Sequence, residues 1–231
     1  MRETLTQGLP ALGVDLQYIE PLEQFSALLV EKNKVMNLTG ITEPREVATL
    51  HLLDSLSLLP IAPLSGKTIV DVGTGAGFPG VPLKIVLPES HVTLLDSLNK
   101  RVDFLRESCD TLGLSDVECV HARAEEFGHR ESFDYAVSRA VAALPILCEL
   151  CLPLVKVGGA FLAMKSSHTE EEIQSAKPAI AMLGGRIREV VDYTIPTTDI
   201  VHRVVYIEKI APTAKKYPRR FAQMKKQPLG Q

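Results

Sequence analysis

A glycine-rich segment, Asp71-Val72-Gly73-Thr74-Gly75-Ala76-Gly77-Phe78-Pro79-Gly80, carries the clearest chemical signal in the chain. It follows the apolar run 68–70 and precedes another at 81–87, so the pattern predicts a strand, a turn and a helix. Glycines at such a turn allow backbone amides to come close to a bound ligand. The segment therefore predicts a loop that binds a nucleotide-like molecule.

Two carboxylates bear on which ligand this loop binds: Asp71, which begins the segment, and Asp96, which ends the next apolar run. Asp96 lies 21 residues after Gly75, where an acid accepts hydrogen bonds from ribose hydroxyls. NAD and S-adenosylmethionine both contain adenosine, so Asp96 does not separate them. Asp71 would repel the pyrophosphate of NAD and attract the ammonium and sulfonium of S-adenosylmethionine. Charge therefore favours S-adenosylmethionine, while a purely local role for Asp71 in capping the turn stays open.

The composition is that of a globular protein. With 231 residues, of which 45% are hydrophobic, the chain can bury one sizeable core. Its apolar stretches are shorter than the roughly 20 residues that a membrane span needs. Residues 1–4 lack the basic-then-apolar pattern of a secretory signal. We therefore expect a cytoplasmic protein with no membrane partner.

The four cysteines and six histidines do not suggest a metal site. Cys148 and Cys151 form a C-x-x-C pair, but they lie in the apolar run 144–152, which predicts a buried helix. Cysteine packs there as a small apolar residue. The histidines show no paired ligand spacing. We expect neither a disulfide framework nor a bound metal.

Positive charge is concentrated at the C terminus. Residues 209–231 contain seven lysines and arginines and no acid, and because the whole chain carries −3, residues 1–208 carry −10. A basic tail on an acidic body suggests a polyanionic partner such as RNA. The same composition also suits a solvated, disordered terminus. Tyr217 and Phe221 lie among the bases and have the chemistry to stack on nucleotides.

Apolar periodicity predicts the elements that position these residues. Helical spacing occurs over 16–36 and over 44–59, where Pro44 suits the first helical position. Strands are predicted at 68–72, 91–95, 117–121, 133–138, 159–165, 187–195 and 202–209. Further helices are predicted at 79–87, 98–113, 142–156 and 169–183.

The order of these elements predicts an α/β fold with a mostly parallel, seven-stranded sheet. The last two strands are joined only by residues 196–201, which is too short for a crossover helix, so they should form an antiparallel hairpin. Rossmann-like methyltransferases end in such a hairpin, whereas dehydrogenase domains end differently. Three regions are expected: an N-terminal helical extension (1–65), a methyltransferase domain that binds S-adenosylmethionine (66–210) and a basic tail (211–231).

Seven short motifs occur in order along the chain. They are Asn37-Leu38-Thr39, His51-Leu52-Leu53-Asp54-Ser55-Leu56, the glycine-rich segment through Leu83, Leu95-Asp96-Ser97 with Lys100-Arg101, Arg123-Ala124-Glu125, Ser138-Arg139-Ala140 and Lys216-Tyr217-Pro218-Arg219-Arg220. Together they resemble the RsmG (GidB) family of small-subunit ribosomal RNA guanine-N7 methyltransferases over nearly the whole chain. The tail differs from the family pattern, since Phe221-Ala222-Gln223-Met224 stands where members often carry lysines and small residues.

This resemblance implies a class I methyltransferase fold with an N-terminal helical extension. It implies methyl transfer from S-adenosylmethionine to N7 of a guanine, position 527 in the 530 loop of 16S ribosomal RNA. The cofactor-binding residues that it implies are Gly73, Phe78, Asp96, Ser97, Leu98, Ala124, Glu125 and Arg139. The loop chemistry adds Asp71 and Gly75.

Methylation at guanine N7 needs no general base, because N7 has a lone pair and no proton to lose. Catalysis then depends on holding the reacting atoms in line, about 3–3.5 Å apart. N7 must stay free, so a donor should hold O6 of the same base. Arg139 and Lys165, at predicted carboxyl ends of strands, are the candidates. A surface salt bridge is the alternative for Arg139, and helix capping or solvent exposure for Lys165.

RNA-facing residues are expected in two places. Asn37, His51 and Arg123 belong to motifs beside the cofactor loops, although His51 alone would suit a partly buried helix position. The tail bases Lys215, Lys216, Arg219 and Arg220 are expected to contact phosphates. The expected partner is 16S ribosomal RNA or the small ribosomal subunit, bound by a monomer.

Two other functions compete with this interpretation. An NAD-dependent oxidoreductase would bind NADH and would need a hydride-acceptor site with a proton donor, which the sequence does not reveal. A non-catalytic RNA-binding module would lack an intact cofactor loop, whereas the loop here is intact.

Overall fold

A computed structural model describes residues 1–139 and 141–230; Ala140 of the sixth motif and Gln231 of the predicted tail lie outside the described residues. A seven-stranded sheet with the order β3-β2-β1-β4-β5-β7-β6 forms its centre. The strands are β1 (Thr68–Val72), β2 (His91–Asp96), β3 (Val117–His121), β4 (Phe133–Arg139), β5 (Val155–Ser166), β6 (Gly185–Thr194) and β7 (Val201–Lys209).

The strand directions confirm the predicted α/β fold class. Strands β1 to β5 pair in parallel, and β7 runs antiparallel to both β5 and β6. The hairpin forms because the short link 196–201 cannot hold a crossover helix. Parallel pairing also brings the carboxyl ends of β1 to β5 to one edge of the sheet, where open α/β sheets bind ligands.

Helices precede the sheet, connect its strands and follow it. They are α1 (Arg2–Gly8), α2 (Ile19–Met36), α3 (Pro44–Glu46), α4 (Asp54–Leu56), α5 (Gly80–Val86), α6 (Asn99–Thr111), α7 (Leu144–Cys151), α8 (Glu170–Met182) and α9 (Phe221–Lys226). A π-helical segment, Val47–Leu53, joins α3 to α4. The sequence did not predict α1 and α9, because both are short and their apolar residues pack against distant parts of the chain.

Two predicted helices end early, and both do so at prolines. The helix predicted over 44–59 ends at Leu56, because the ring of Pro60 would clash with the carbonyl four residues before it. The helix predicted over 142–156 becomes α7, then a single 3₁₀ turn, Leu152–Leu154, that contains Pro153. Strand β5 therefore begins earlier than the predicted residue 159.

Apolar side chains cover both faces of the sheet. One face packs against the N-terminal helices, α5 and α6, through residues such as Phe25 and Phe104. The other packs against α7, α8 and the C-terminal segment, with Tyr217 and Met224 buried. The alternative of a disordered tail is therefore wrong for residues 211–230. Within the described residues, no helix combines the length and apolarity that crossing a bilayer requires.

Candidate active site

Three adjoining cavities open along the carboxyl edge of the sheet. The β2–β3 cavity has a volume of about 140 Å³, the glycine-loop cavity about 240 Å³ and the β4–β5 cavity about 570 Å³. Gly73 lines the first two cavities. His51 and Arg139 line the last two. The three cavities therefore share walls and lie side by side.

Most of the predicted cofactor-binding residues line two of these cavities. The β2–β3 cavity is lined by Gly73, Asp96, Ser97, Ala124 and Glu125, among others. The glycine-loop cavity is lined by Gly73, Gly75, Phe78 and Arg139 with neighbouring residues. Leu98 is not among the lining residues of either cavity, because its side chain points outward and is 52% exposed.

Asp96 connects the glycine loop to the end of β2. Its Oδ2 accepts a hydrogen bond from the backbone N–H of Gly75, and its Oδ1 accepts one from that of Leu98, each at 2.9 Å. Arg101 Nη1 lies 3.5 Å from Oδ2 as a third donor. A carboxylate offers about four acceptor positions, so the three contacts leave capacity for a hydroxyl group of a ligand. The buried carboxylate thus shapes the loop and can still receive a ligand in the cavity that it lines.

The glycine loop needs glycine for two different reasons. Gly73 has φ +72°, in the left-handed region, and an added Cβ would lie 2.6 Å from Val141 Cγ2. Gly80 begins α5, where a Cβ would lie 2.3 Å from Leu94 Cδ2. The first glycine therefore permits the turn beside the cavities, and the last permits α5 to pack directly on β2.

Asp71 does not line these cavities. Its side chain is fully buried, and its Oδ2 accepts hydrogen bonds from Thr74 Oγ1 at 2.7 Å and from the Gly80 backbone N–H at 2.8 Å. Burial raises the pKa of Asp71 to about 6, even though these two hydrogen bonds lower it. Its Oδ1 has no hydrogen-bond partner among the described residues, and the predicted contact between Asp71 and the cofactor stays a prediction. Its observed role is to hold the turn, because the loop folds back over the carboxylate.

Arg139 lies where the glycine-loop and β4–β5 cavities meet. Its Nη1 donates to the Leu50 carbonyl at 2.9 Å and to Asp54 Oδ2 at 2.7 Å, and its Nη2 donates to a nitrogen of His51. The guanidinium also lies 5.2 Å from the centre of the Phe78 ring. Arg139 therefore forms a largely buried ion pair at the site and not the surface salt bridge considered from the sequence.

The contacts of His51 determine which of its nitrogens carries the proton. Arg139 Nη2 can only donate, so His51 Nδ1, at 3.2 Å, is the acceptor. His51 Nε2–H then donates to Thr39 Oγ1 at 2.8 Å. Burial, followed by the positive charge of Arg139, lowers the pKa of His51 to about 4. His51 is therefore neutral at pH 7, with its ring stacked on that of Phe78 at 4.5 Å between centroids.

Asp54 is the carboxylate on which this cluster depends, although no role was predicted for it from the sequence. Besides the Arg139 bond, its Oδ1 accepts from Tyr193 Oη at 2.7 Å and from His202 Nδ1 at 2.8 Å. Burial alone would raise the pKa of Asp54, but the hydrogen bond from His202 and the charge of Arg139 lower it below its usual value. A carboxylate buried on a helix requires a cationic or hydrogen-bonding partner. The position of Asp54 among leucines was the sequence feature that could have indicated its burial.

Lys165 lines the β4–β5 cavity. Its Nζ donates to the Ala142 carbonyl at 2.8 Å and to Glu172 Oε1 at 2.7 Å. The side chain is only 11% exposed. The alternative of ordinary solvent exposure is therefore wrong, and the ammonium is held at the cavity wall.

Comparison with known proteins places this chain in a family. The family described as GidB, rRNA small subunit methyltransferase G, matches residues 18–201. The ribosomal RNA small subunit methyltransferase G of Alkaliphilus metalliredigens is 50% identical, over 97% of each chain. That of Acetivibrio thermocellus is 46% identical, over 99% of this chain and 97% of the relative. The chain belongs to the rRNA small subunit methyltransferase G family.

More distant solved structures share the fold of this methyltransferase G family member. TrmN from Thermus thermophilus superimposes with a TM-score of 0.52 at 22% identity, covering 67% of this chain and 48% of that one. A SAM-dependent methyltransferase from Aquifex aeolicus gives 0.54 at 21% identity, covering 71% and 93%. Family membership confirms the resemblance inferred from the motifs. It also excludes the NAD-dependent oxidoreductase that the glycine loop had left open.

The expected RNA-facing residues of this methyltransferase G family member are not grouped as predicted. His51 lines the glycine-loop and β4–β5 cavities. Arg123 is exposed and lines the β2–β3 cavity, where its Nη1 lies 4.0 Å from Glu125 Oε1. Asn37 is exposed at the end of α2 and is not among the lining residues of these cavities. The three residues therefore do not line one common cavity, and their contact with RNA stays a prediction. Thr39, from the motif of Asn37, does line the glycine-loop cavity.

The tail bases divide into exposed and buried residues. Lys215, Lys216 and Arg220 are exposed. Arg219 instead donates from Nε at 2.8 Å and from Nη2 at 2.6 Å to the carboxylate of Glu149, which is 1% exposed. The phosphate contact predicted for Arg219 is therefore wrong, because its guanidinium neutralises a buried acid.

The two tail aromatic residues do not lie on an exposed RNA-binding surface. Tyr217 is 5% exposed, so the predicted stacking on RNA is wrong for it, and Phe221 lines the β2–β3 cavity. Within 1–139 and 141–230, no three His, Cys, Asp or Glu side chains come together as a ligand set for a metal.

Proposed function

We propose that this protein transfers a methyl group from S-adenosylmethionine to N7 of a guanine, position 527 in the 530 loop of 16S ribosomal RNA. The observation that carries the proposal is the row of three cavities. A cavity suited to adenosine adjoins the glycine loop, which adjoins a larger cavity containing Arg139 and Lys165. Family membership supports the same reaction class.

The residues of the β2–β3 cavity fit the adenosine of S-adenosylmethionine. Asp96 has acceptor capacity left for a ribose hydroxyl, and Ala124 and Glu125 line the same cavity. Gly73 connects this cavity to the glycine-loop cavity, so a ligand that extends past Gly73 reaches Arg139. When bound, S-adenosylmethionine supplies an electrophilic methyl group attached to a sulfonium.

Arg139 and Lys165 have donors left for the substrate base. The partners of Arg139 use three of its five N–H groups, and those of Lys165 use two of its three. Both side chains line the β4–β5 cavity. A donor from this pair holds guanine O6 and leaves N7 free to attack. We assign these residues to orientation of the base, since this reaction needs no proton acceptor.

His51 does not act as a general base in this proposal. Its Nδ1 accepts from Arg139, and its Nε2–H donates to Thr39. Both ring nitrogens are therefore occupied, and the ring sets the orientation of Arg139. The exposed tail bases Lys215, Lys216 and Arg220 supply phosphate contacts.

The same proposal includes the organisation and setting of the protein. Residues 1–65 form the helical extension, which contributes His51 and Asp54 to the β4–β5 cavity. Residues 66–210 form the methyltransferase domain and residues 211–231 the tail. The protein acts as a monomer in the cytoplasm, on 16S ribosomal RNA or on the small subunit.

Methyl transfer to small ribosomal subunits and to free 16S ribosomal RNA tests the function. The label from methyl-labelled S-adenosylmethionine is mapped by borohydride reduction and aniline cleavage, which cut RNA at N7-methylguanine. We expect cleavage at the guanine in the 530 loop. Incorporated label without cleavage there would contradict the proposal. In a thermal-shift comparison, S-adenosylhomocysteine should raise Tm and NADH should not.

A further inference from the structure

The C-terminal segment forms part of the β2–β3 cavity. Helix α9 begins at Phe221, and the ring of this residue lines the cavity together with Asp96 and Ala124. One turn later, Met224 is fully buried in the core on the same face of the sheet as α7. Helix α9 is therefore packed onto the domain, with its first side chain at the cavity wall.

Two arginines hold this segment in place. Arg219 donates its backbone N–H and its Nε to Glu149 Oε1, each at 2.8 Å. Arg130 donates to the carbonyls of Tyr217 and Thr213, the latter at 2.8 Å. Because Glu149 is only 1% exposed, its ion pair with Arg219 belongs to the buried interior of the protein. These bonds determine where Phe221 lies.

Among the described residues that line the β2–β3 cavity, Phe221 is the one aromatic side chain; several others are aliphatic, including Val72, Leu95 and Leu150. An aromatic ring offers a flat apolar surface, and nucleobases bind such surfaces by stacking. The carboxylate of Asp96, which can accept a hydrogen bond from a ribose hydroxyl, lines the same cavity. The ring of Phe221 therefore lies where it can contact a purine, and its flat apolar surface suits that contact.

We propose that Phe221 is a cofactor-binding residue, whose ring contacts the adenine of S-adenosylmethionine, and that the Arg219–Glu149 pair holds this wall of the site closed. The inference rests on the proposed function, because that function assigns the β2–β3 cavity to S-adenosylmethionine. It gives part of the tail a role in the cofactor site, whereas the exposed bases around it remain available to RNA.

A fluorescence experiment tests the contact directly, because the chain contains no tryptophan. Phe221→Trp places a single tryptophan, excited selectively over the five tyrosines, in the cavity wall, and Gln223→Trp places one on the exposed side of the same helix. Titration with S-adenosylhomocysteine should change the emission of Phe221→Trp in a saturable way and leave that of Gln223→Trp unchanged. Equal responses, or no response of Phe221→Trp while calorimetry shows binding, would overturn the inference.

Calorimetry measures what the contact contributes. Phe221→Ala should weaken binding of S-adenosylhomocysteine and of adenosine by the same factor, about tenfold, or about 1.4 kcal/mol. Phe221→Tyr keeps an aromatic ring and should stay within about threefold of wild type, and Gln223→Ala should bind as wild type does. An unchanged Tm without ligand shows that the variants fold.

Two different outcomes separate the inference from the proposed function. If wild type binds S-adenosylhomocysteine and Phe221→Ala binds it equally well, the inference fails and the function stands. If wild type itself does not bind S-adenosylhomocysteine, the proposed function fails, and the inference fails with it.

Discussion

Arg139 and Asp54 form an ion pair, with 2.7 Å between Nη1 and Oδ2, that joins the carboxyl end of β4 to α4. Asp54 is 1% exposed and Arg139 17%. The same carboxylate also receives hydrogen bonds from Tyr193 and His202 of the C-terminal hairpin. One buried acid thus connects three parts of the chain and orients the guanidinium that lines two cavities.

Replacement of this acid should destabilise the protein. In Asp54→Asn the guanidinium of Arg139 loses its buried counter-charge, so we expect the free energy of unfolding to fall by about 3 kcal/mol. Urea denaturation measures the change. Asp192→Asn is the matched control, because Asp192 pairs with Arg203 but is 49% exposed, and its loss should be below about 1 kcal/mol. Equal losses in both variants would show that Asp54 has no special structural role.

His51 predicts a pH dependence of stability. Its pKa in the folded protein is about 4, below the usual 6.5, so between these values the unfolded chain binds a proton that the folded chain does not. The stability that this residue contributes is full above about pH 6.5 and is lost as the pH falls towards 4.

His51→Gln provides the test, because glutamine does not titrate. The free energy of unfolding of wild type should fall relative to that of His51→Gln by up to about 1.4 kcal/mol per pH unit below pH 6.5. Urea denaturation at pH 7, 6 and 5 measures this difference. The comparison cancels the titration of Asp71, whose raised pKa acts with the opposite sign. A difference that does not change with pH would contradict a neutral, buried His51.

Asp71 and Asp96 should differ in their effect on cofactor binding. Asp71 is fully buried and bonded within the turn, so Asp71→Asn should change the Kd of S-adenosylhomocysteine by less than about threefold. Asp96 lines the cavity, so Asp96→Asn should weaken binding by about tenfold or more, as loss of a hydrogen bond to a charged group does. Calorimetry measures both. A large loss in Asp71→Asn, in a variant with unchanged Tm, would instead indicate a direct contact between Asp71 and the cofactor.

Arg219 and Arg220 are neighbours in sequence with different environments. Arg219→Ala leaves the Glu149 carboxylate buried without its partner and should lower the free energy of unfolding by about 3 kcal/mol. Arg220→Ala removes an exposed charge, so stability should be unchanged while RNA binding weakens. The slope of log K against log salt should then fall by roughly 0.7 for the lost contact. An unchanged slope in Arg220→Ala would remove this residue from the RNA surface.

The local parts of this site could be predicted from the sequence. The glycine loop needs residues without a Cβ, as at Gly73, and Asp96 must end the strand beside it, so spacing alone located both. The hairpin followed from the length of 196–201, since a short link cannot cross back over a sheet. These features depend on the backbone conformation of consecutive residues and on the spacing of their apolar side chains. Both can be predicted from the residue types along a short stretch of sequence.

Only the tertiary structure determined what each charged or aromatic side chain contacts. Asp71 was assigned to the ligand, yet the turn that it caps buries it; Arg219 was assigned to RNA, yet it neutralises Glu149, 70 residues away in the chain. Asp54 finds its partners 85 and 148 residues away. A sequence records the sign and position of a charge, but its counter-ion is chosen by packing between distant segments. That packing decides which charges remain for substrate and cofactor.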